Sequence, residues 1–326
     1  MNGTTVTNSK TNHGLRSRAY CANTDEVLFA RLHLYPVENT KVIHLIRHAQ
    51  GFHNVAGEKD RGNYLLEAFE DAHLSPDGWK QVQALHDHCR KFREDLSVEL
   101  TVASPMTRTI ETAAGIFGTA LSVSDPVGDP LLMDCSVPLH TPTEGCGKNT
   151  ENSESRHVRI SARDSPPVIA CELCREQLGR NPCDRRVPLS VLRERFPGVD
   201  FSEVETESDE MWAAFGPERR EGVAEIQERA LSFLRWLEQR PETHIAVVSH
   251  SAFLTLGLLP LFNGLPTYSP ELSDSMGEYF QNCEMRSYIL ASGNQGCGDR
   301  QKAGALSFPG GMEVLDGPRN GPAGSA

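Results

Sequence analysis

The run Lys41-Val42-Ile43-His44-Leu45-Ile46-Arg47-His48-Ala49-Gln50 is short and apolar until it ends in an arginine and a histidine. A bounded apolar run of this length reads as a buried strand. Two further runs end in the same kind of residue. His244–Val248 leads into Ser249-His250, and Val98–Ala103 leads into Ser104-Pro105 and then Arg108, in the first turn of a helix bearing Met106, Ile110 and Ala113 or Ala114. Ligands of open parallel sheets bind beyond the carboxyl ends of the strands. If these three strands are neighbours, two imidazoles and two guanidiniums converge on one crevice, and a helix N-terminus adds N–H donors suited to an anion.

Helical signals fill the intervals. Ser75 is an N-cap with Pro76 at the first helical position, followed by Trp79, Val82, Leu85 and Cys89 at helical spacing. A long helix is predicted over about 222–239, with Val223, Ile226, Ala230, Phe233, Leu234 and Leu237 on one face, and an apolar helix begins near Ser251. Val168–Leu173 is a fourth apolar element. Strand and helix alternate, which predicts an α/β fold of three layers, α/β/α, around a mostly parallel central sheet.

The chain has 326 residues, enough for one large α/β domain with additions. The domain is placed at about 27–292, with a polar insertion at about 141–167 that reads as disordered and ends in a double proline. Residues 293–326 hold 9 of the 27 glycines and read as a disordered tail. Residues 1–26 read as a disordered or targeting tail, with no acid before Asp25 and no apolar signal core. The longest nearly apolar run, Ala252–Phe262, is too short to cross a bilayer and contains Pro260, so no membrane partner is expected. A net charge of −12 with no Lys/Arg block argues against a nucleic-acid partner, but two or three local cations are enough for a small anion. Nine scattered cysteines, an odd number, fit a reducing compartment. The expected location is cytoplasmic, the alternative an organelle reached through the N-terminal segment.

The chemistry that suits the three strand ends is phosphoryl transfer. Arginine grips phosphate oxygens bidentately. A neutral imidazole nitrogen attacks phosphorus to form a phosphohistidine, and a second, protonated histidine stabilises the equatorial oxygens. Adjoining arginines would repel a metal cation, so neither metal nor other cofactor is expected.

Four segments resemble, in order, the motifs of the histidine phosphatase superfamily in its phosphoglycerate-mutase-like branch. Leu45 to Asn54 resembles the Arg-His-Gly signature, with Ala49 where glycine is usual. Leu74 to Gln81 is similar to the helix start that follows it. Ser104 to Ala113 resembles the Ser-Pro-Leu-x-Arg-x-x-x-Thr-Ala segment, and Val247 to Leu254 the second-histidine motif, with Ser251 where glycine is common. The resemblance implies that His48 is phosphorylated, that Arg47, Arg108 and His250 complete the phosphate pocket, and that Asn54 contacts the transferred phosphate. It implies a general acid in Cys171-Glu172-Leu173-Cys174-Arg175-Glu176-Gln177-Leu178-Gly179. Glu176 is preferred there and Glu172 is the alternative. Asn181 to Arg186 and Asn282 to Tyr288 look like segments of the fungal, plant and algal members. Arg185 and Arg186 are taken as candidate specificity residues, against the plainer reading of an exposed helical pair.

The remaining signals are weaker. Cys171-x-x-Cys174 reads as buried thiols, His86 and His88 point apart on their helix, and His53 lines the cleft without a catalytic role. Trp212 and Phe215 are expected to dock a helix that caps the site. The function expected is a metal-independent phosphatase that hydrolyses a small phosphomonoester through a phosphohistidine on His48, as a monomer or homodimer. The alternatives are a phosphoglycerate-type mutase and, from another class, an inactive phosphate-binding or scaffold protein.

Overall fold

A computed structural model describes residues 40–122, 128–136, 159–262 and 278–291. The tail at 1–26, the domain start near Val27, residues 141–158 of the insertion and the tail from 293 lie outside these residues. The strands are β1 Thr40–Arg47, β2 Leu100–Ala103, β3 Thr119–Ala120, β4 Leu131–Met133, β5 Ile160–Ser161, β6 Val168–Cys171, β7 Val199–Glu203, β8 His244–Ser249 and β9 Met285–Ala291. The helices are α1 Phe52–Lys59, α2 Pro76–Lys91, α3 Arg93–Leu96, α4 Thr107–Phe117, α5 Leu189–Arg195, α6 Glu210–Ala213 and α7 Val223–Gln239. A π-helical stretch, Phe253–Leu258, follows β8.

Six strands form the main sheet in the order β7-β6-β2-β8-β1-β9. β7, β6, β2, β8 and β1 pair in parallel, and β9 is antiparallel to β1 at the edge. Side chains along the strands alternate between two cores, as the strand period of two requires. Ile46, Ala103, Ala170, Ala246 and Val248 face the core filled by Trp79, Val82, Ile110 and Ala114 from α2 and α4. Ile43, Leu45, Val102, Ile169, Ile245 and Val247 face the core filled by Ile226, Phe233, Leu237, Phe253 and Leu254. Helices therefore cover both faces, the α/β/α arrangement read from the alternation. Among the described residues no helix is long and apolar enough to cross a membrane.

Ser75 caps α2 by accepting the Gly78 N–H at 3.0 Å, with Pro76 at the first helical position as read. Gly78 has a second constraint, since a Cβ there would lie 2.1 Å from the Gln50 carbonyl oxygen. Glycine lets α2 start directly against the loop that follows His48. The end of the insertion is ordered into the fold: Ile160 and Ser161 are buried and form the middle strand of a small antiparallel sheet, β3-β5-β4. The elements missed by periodicity are α1, α3, α5, β3, β4, β5, β7 and β9. Of α1 only His53, Asn54 and Gly57 are buried, so it has no apolar stripe to read.

Candidate active site

β8 lies between β1 and β2, so the three strand ends are adjacent, with Arg47 opposite Ser249 and Ala103 opposite Val248. This placement brings His48, Arg108 and His250 into contact. Arg108 donates from Nε to His48 Nε2 at 3.3 Å and from Nη2 to His250 Nδ1 at 3.1 Å, and the two imidazole centroids are 5.1 Å apart. All three residues are almost fully buried.

A guanidinium only donates, so these contacts fix the imidazole tautomers. His48 Nε2 carries the lone pair, and its Nδ1–H donates to the Ala49 carbonyl at 2.7 Å. His250 Nδ1 carries the lone pair, and its Nε2–H donates to Ser104 Oγ at 2.8 Å. Burial, then the Arg108 and Arg47 charges and His53, hold His48 well below the usual histidine range. Burial followed by the Arg108 charge does the same for His250 and for His53. The result is a cluster of neutral imidazoles beside fixed cations.

Arg47 is half-buried at the end of β1, where Nη1 donates to the Phe280 carbonyl at 2.7 Å. Burial lowers its pKa against the opposing charge of Glu176. Asn54 is buried on the first turn of α1, and its Oδ1 accepts the Gly51 N–H at 2.9 Å, leaving the amide NH2 as the donating end. His53 packs beside it with its ring 5.6 Å from that of His48, lining the cleft as read.

The two candidate acids differ in their surroundings. Glu172 pairs with two buried arginines, Arg175 at 3.1 Å and Arg186 at 3.0 Å. Glu176 is half-buried and accepts backbone N–H groups from Ala252 at 3.3 Å, Phe253 at 3.2 Å and Gln177 at 2.9 Å. The first two belong to the turn after His250, so Glu176 is docked on the His250 segment. The Ser249 hydroxyl ties the same strand end to the Cys174 carbonyl at 2.7 Å.

Arg185 and Arg186 are not an exposed helical pair. They follow a single turn, Pro182–Asp184, and diverge. Arg186 is buried and donates to Glu172 and to the carbonyls of Val187, Thr206, Glu207 and Ser208, so it ties loops together. Arg185 pairs with Glu67 and Glu70 and stacks over the Trp212 ring at 5.0 Å. Trp212 is buried on α6 and donates from Nε1 to the Asn181 carbonyl at 3.1 Å, which fastens α6 to the loop carrying Asp184. Cys171 and Cys174 are buried thiols, and burial pushes Cys174 well above the ordinary thiol range.

Sequence reading assigned no role to Asp71, Ser104 or Asp184. Asp71, buried and held at φ 41°, accepts the Thr107 N–H at 2.8 Å and the Val187 N–H at 3.2 Å, so it caps α4 one residue before Arg108. It lies 36 positions from Thr107, a separation that local capping rules do not cover. Asp184 pairs with Arg108 at 2.9 Å. Its one sequence signal is an acid set among arginines.

The family model of the histidine phosphatase superfamily (branch 1) matches residues 43–137. The chain is 40% identical to an Arabidopsis thaliana protein described as a phosphoglycerate mutase-like protein, over 87% of this chain and 97% of that one. It is 39% identical to phosphoglycerate mutase-like protein 2 of the same plant, over 79% and 76%. Among solved structures it is similar to the alpha-ribazole phosphatase from Shigella flexneri, at 19% identity and a TM-score of 0.40 over 76% and 89% of the two chains.

Proposed function

The chain belongs to the histidine phosphatase superfamily, branch 1, and from that premise we propose that it is a metal-independent phosphatase that hydrolyses a small phosphomonoester through a phosphohistidine on His48. The observation that carries this reading is the tautomer of His48. Its Nδ1–H is engaged by Ala49, and its Nε2 lone pair points at Arg108, where a phosphate would sit.

In the first step Nε2 attacks phosphorus, the bond from phosphorus to the ester oxygen breaks, and Glu176 gives a proton to the departing alcohol. Arg47, Arg108 and the Asn54 amide hold the equatorial oxygens, and His250, taking onto Nδ1 the proton that a monoanionic phosphomonoester brings, donates it as a hydrogen bond to them as negative charge gathers. In the second step Glu176 takes a proton from water, the water oxygen attacks phosphorus, and the Nε2–phosphorus bond breaks to release inorganic phosphate. The cations that neutralise the phosphate are supplied by the chain itself, so no step calls for a metal.

The test is p-nitrophenyl phosphate turnover in excess EDTA, for the wild type beside His48→Ala. Turnover that survives chelation and is lost in the variant supports the proposal. Loss on chelation replaces the mechanism with a metal-dependent one. The plant relatives, described as phosphoglycerate mutase-like, favour a second reading, transfer to another hydroxyl instead of to water. With 3-phosphoglycerate and catalytic bisphosphoglycerate, a mutase produces the 2-isomer, and a phosphatase releases inorganic phosphate.

A further inference from the structure

Resting on the reading of this site as a phosphate pocket, we propose that Asp184 is the positioning residue for Arg108, and that Arg220 acts on the pocket only through Asp184. A guanidinium has two edges that can each make paired contacts. The edge formed by Nε and Nη2 of Arg108 faces the imidazoles, at 3.3 Å from His48 Nε2 and 3.1 Å from His250 Nδ1. The edge formed by Nη1 and Nη2 faces away and is gripped by the Cys183 carbonyl at 2.7 Å and Asp184 Oδ1 at 2.9 Å. Asp184 therefore lies behind Arg108 and leaves the edge toward the imidazoles free of any carboxylate. Holding one edge fixes the plane of the other, and a bidentate phosphate contact depends on that plane.

The second carboxylate oxygen of Asp184 is itself held. Arg220 donates to Oδ2 from Nη1 at 3.2 Å, and Asn181 Nδ2 reaches it at 3.4 Å. The backbone carbonyl of Asp184 accepts from the buried Arg175 at 2.6 Å. Arg220 is in turn fixed by Gln177 Oε1 at 2.9 Å and the Gly179 carbonyl at 3.1 Å. Gly179 (φ 76°) and Arg180 (φ 57°) both take left-handed backbone, and a Cβ on Gly179 would lie 2.2 Å from the Arg219 carbonyl, so the loop closes tightly on the Arg220 segment. The order Arg220–Asp184–Arg108 alternates in charge and runs from the half-exposed rim to the buried pocket.

A residue that acts through Arg108 has no effect once Arg108 is gone, and a general scaffold residue keeps its effect. Orthophosphate affinity by calorimetry and p-nitrophenyl phosphate turnover are measured for the wild type, Asp184→Asn, Arg108→Ala and the double variant. Displacement of a positioned group by about 1 Å costs on the order of a hundredfold in rate. Asp184→Asn is expected to lose that in kcat/KM and about tenfold in phosphate affinity. In the Arg108→Ala background it is expected to change affinity by no more than about threefold, the mark of coupled residues. Arg220→Lys, which loosens the carboxylate from the rim, gives a smaller loss of the same sign and serves if Asp184→Asn fails to fold. An Asp184→Asn effect that persists in full without Arg108, or no effect of Asp184→Asn or Arg220→Lys, overturns the proposal. A wild type that binds phosphate without turning over any ester overturns the phosphatase reading alone, because the affinity cycle still decides the role of Asp184. A wild type that does not bind phosphate overturns both.

Discussion

Arg175 donates from Nη1 and Nη2 to the two carboxylate oxygens of Asp209, at 2.7 and 2.6 Å, in a fork enclosed by protein on every side. The pair holds the loop that leads from β6 to Glu176 against the start of α6. Burial opposes the charge on Arg175, but Asp209 and Glu172 outweigh it and raise the guanidinium pKa.

Removing one member of a buried pair strands the other charge, which costs about 3–5 kcal/mol, whereas replacing both members with packed apolar groups is often neutral. Asp209→Ala is therefore expected to lower the melting temperature by roughly 10 °C. The double variant Arg175→Met, Asp209→Leu is expected to recover at least half of that loss. Calorimetric melts of the three proteins check this, and a double variant no better than Asp209→Ala counts against the stranded-charge account.

Glu176 and Glu172 sit four residues apart and have different partners, so their glutamine variants separate chemistry from scaffolding. Glu176→Gln is expected to lower kcat by about 10²–10⁴ for an alkyl phosphate, the range of general acid–base assistance. The loss is smaller for p-nitrophenyl phosphate, whose phenolate departs without a proton. Glu172→Gln weakens its pairs with Arg175 and Arg186 and is expected to lower the melting temperature while kcat stays within about threefold. Equal kinetic losses in the two variants, or the reverse order, would reassign the acid.

The three strand ends and the helix start at Ser75 were legible because each is a local signal: an apolar run, a cap, a residue type at the exit. Their convergence depended on strand order, and β8 between β1 and β2 supplies it. The contacts that complete the site are not local. Asp71 reaches Thr107, Asp184 reaches Arg108 across 76 positions, and Arg186 gathers carbonyls from residues 206–208, none of which a periodicity reveals. The plainer alternative for Arg185 and Arg186, an exposed pair, does not hold for the same reason: the acids and carbonyls that bury Arg186 and pair with half-buried Arg185 are distant in sequence. β9 was missed because its pattern is mixed: it lies at the sheet edge, where Ile289 is 74% exposed.

His48, His53 and His250 are held neutral by burial and by the arginines. An unfolded chain takes up protons on these residues as pH falls through about 6.5, while the folded pocket does not. Two consequences follow from that sign. Stability declines as pH falls below about 6.5, and orthophosphate, which favours the protonated pocket, offsets the decline. In histidine-labelled NMR spectra, resonances assigned through the His48→Gln, His53→Gln and His250→Gln variants are expected to stay in the neutral position from pH 8 to pH 6. Titration of any of the three with a midpoint near 6.5 in the unliganded protein would refute the arrangement.

Glu111 has the opposite linkage. It is buried on α4, and burial alone would push its carboxyl up, yet His73 at 2.6 Å, Arg195 at 3.0 Å and the Leu74 N–H at 2.9 Å bring it down to about 2. A carboxylate depressed in the folded state contributes stability that is fully present above its unfolded pKa, about 4.5, and is lost as pH falls toward 2. A shift of that size corresponds to on the order of 3 kcal/mol. Glu111→Gln is expected to lower stability at pH 7, because Arg195 loses its buried counter-charge, and to flatten the fall in stability between pH 4.5 and pH 2. Urea midpoints of both proteins at a series of pH values across that window measure the two slopes. Parallel slopes would mean that other carboxylates govern the acid unfolding, whereas a shallower slope in the variant locates it at the joint of α4 with the loop before α2.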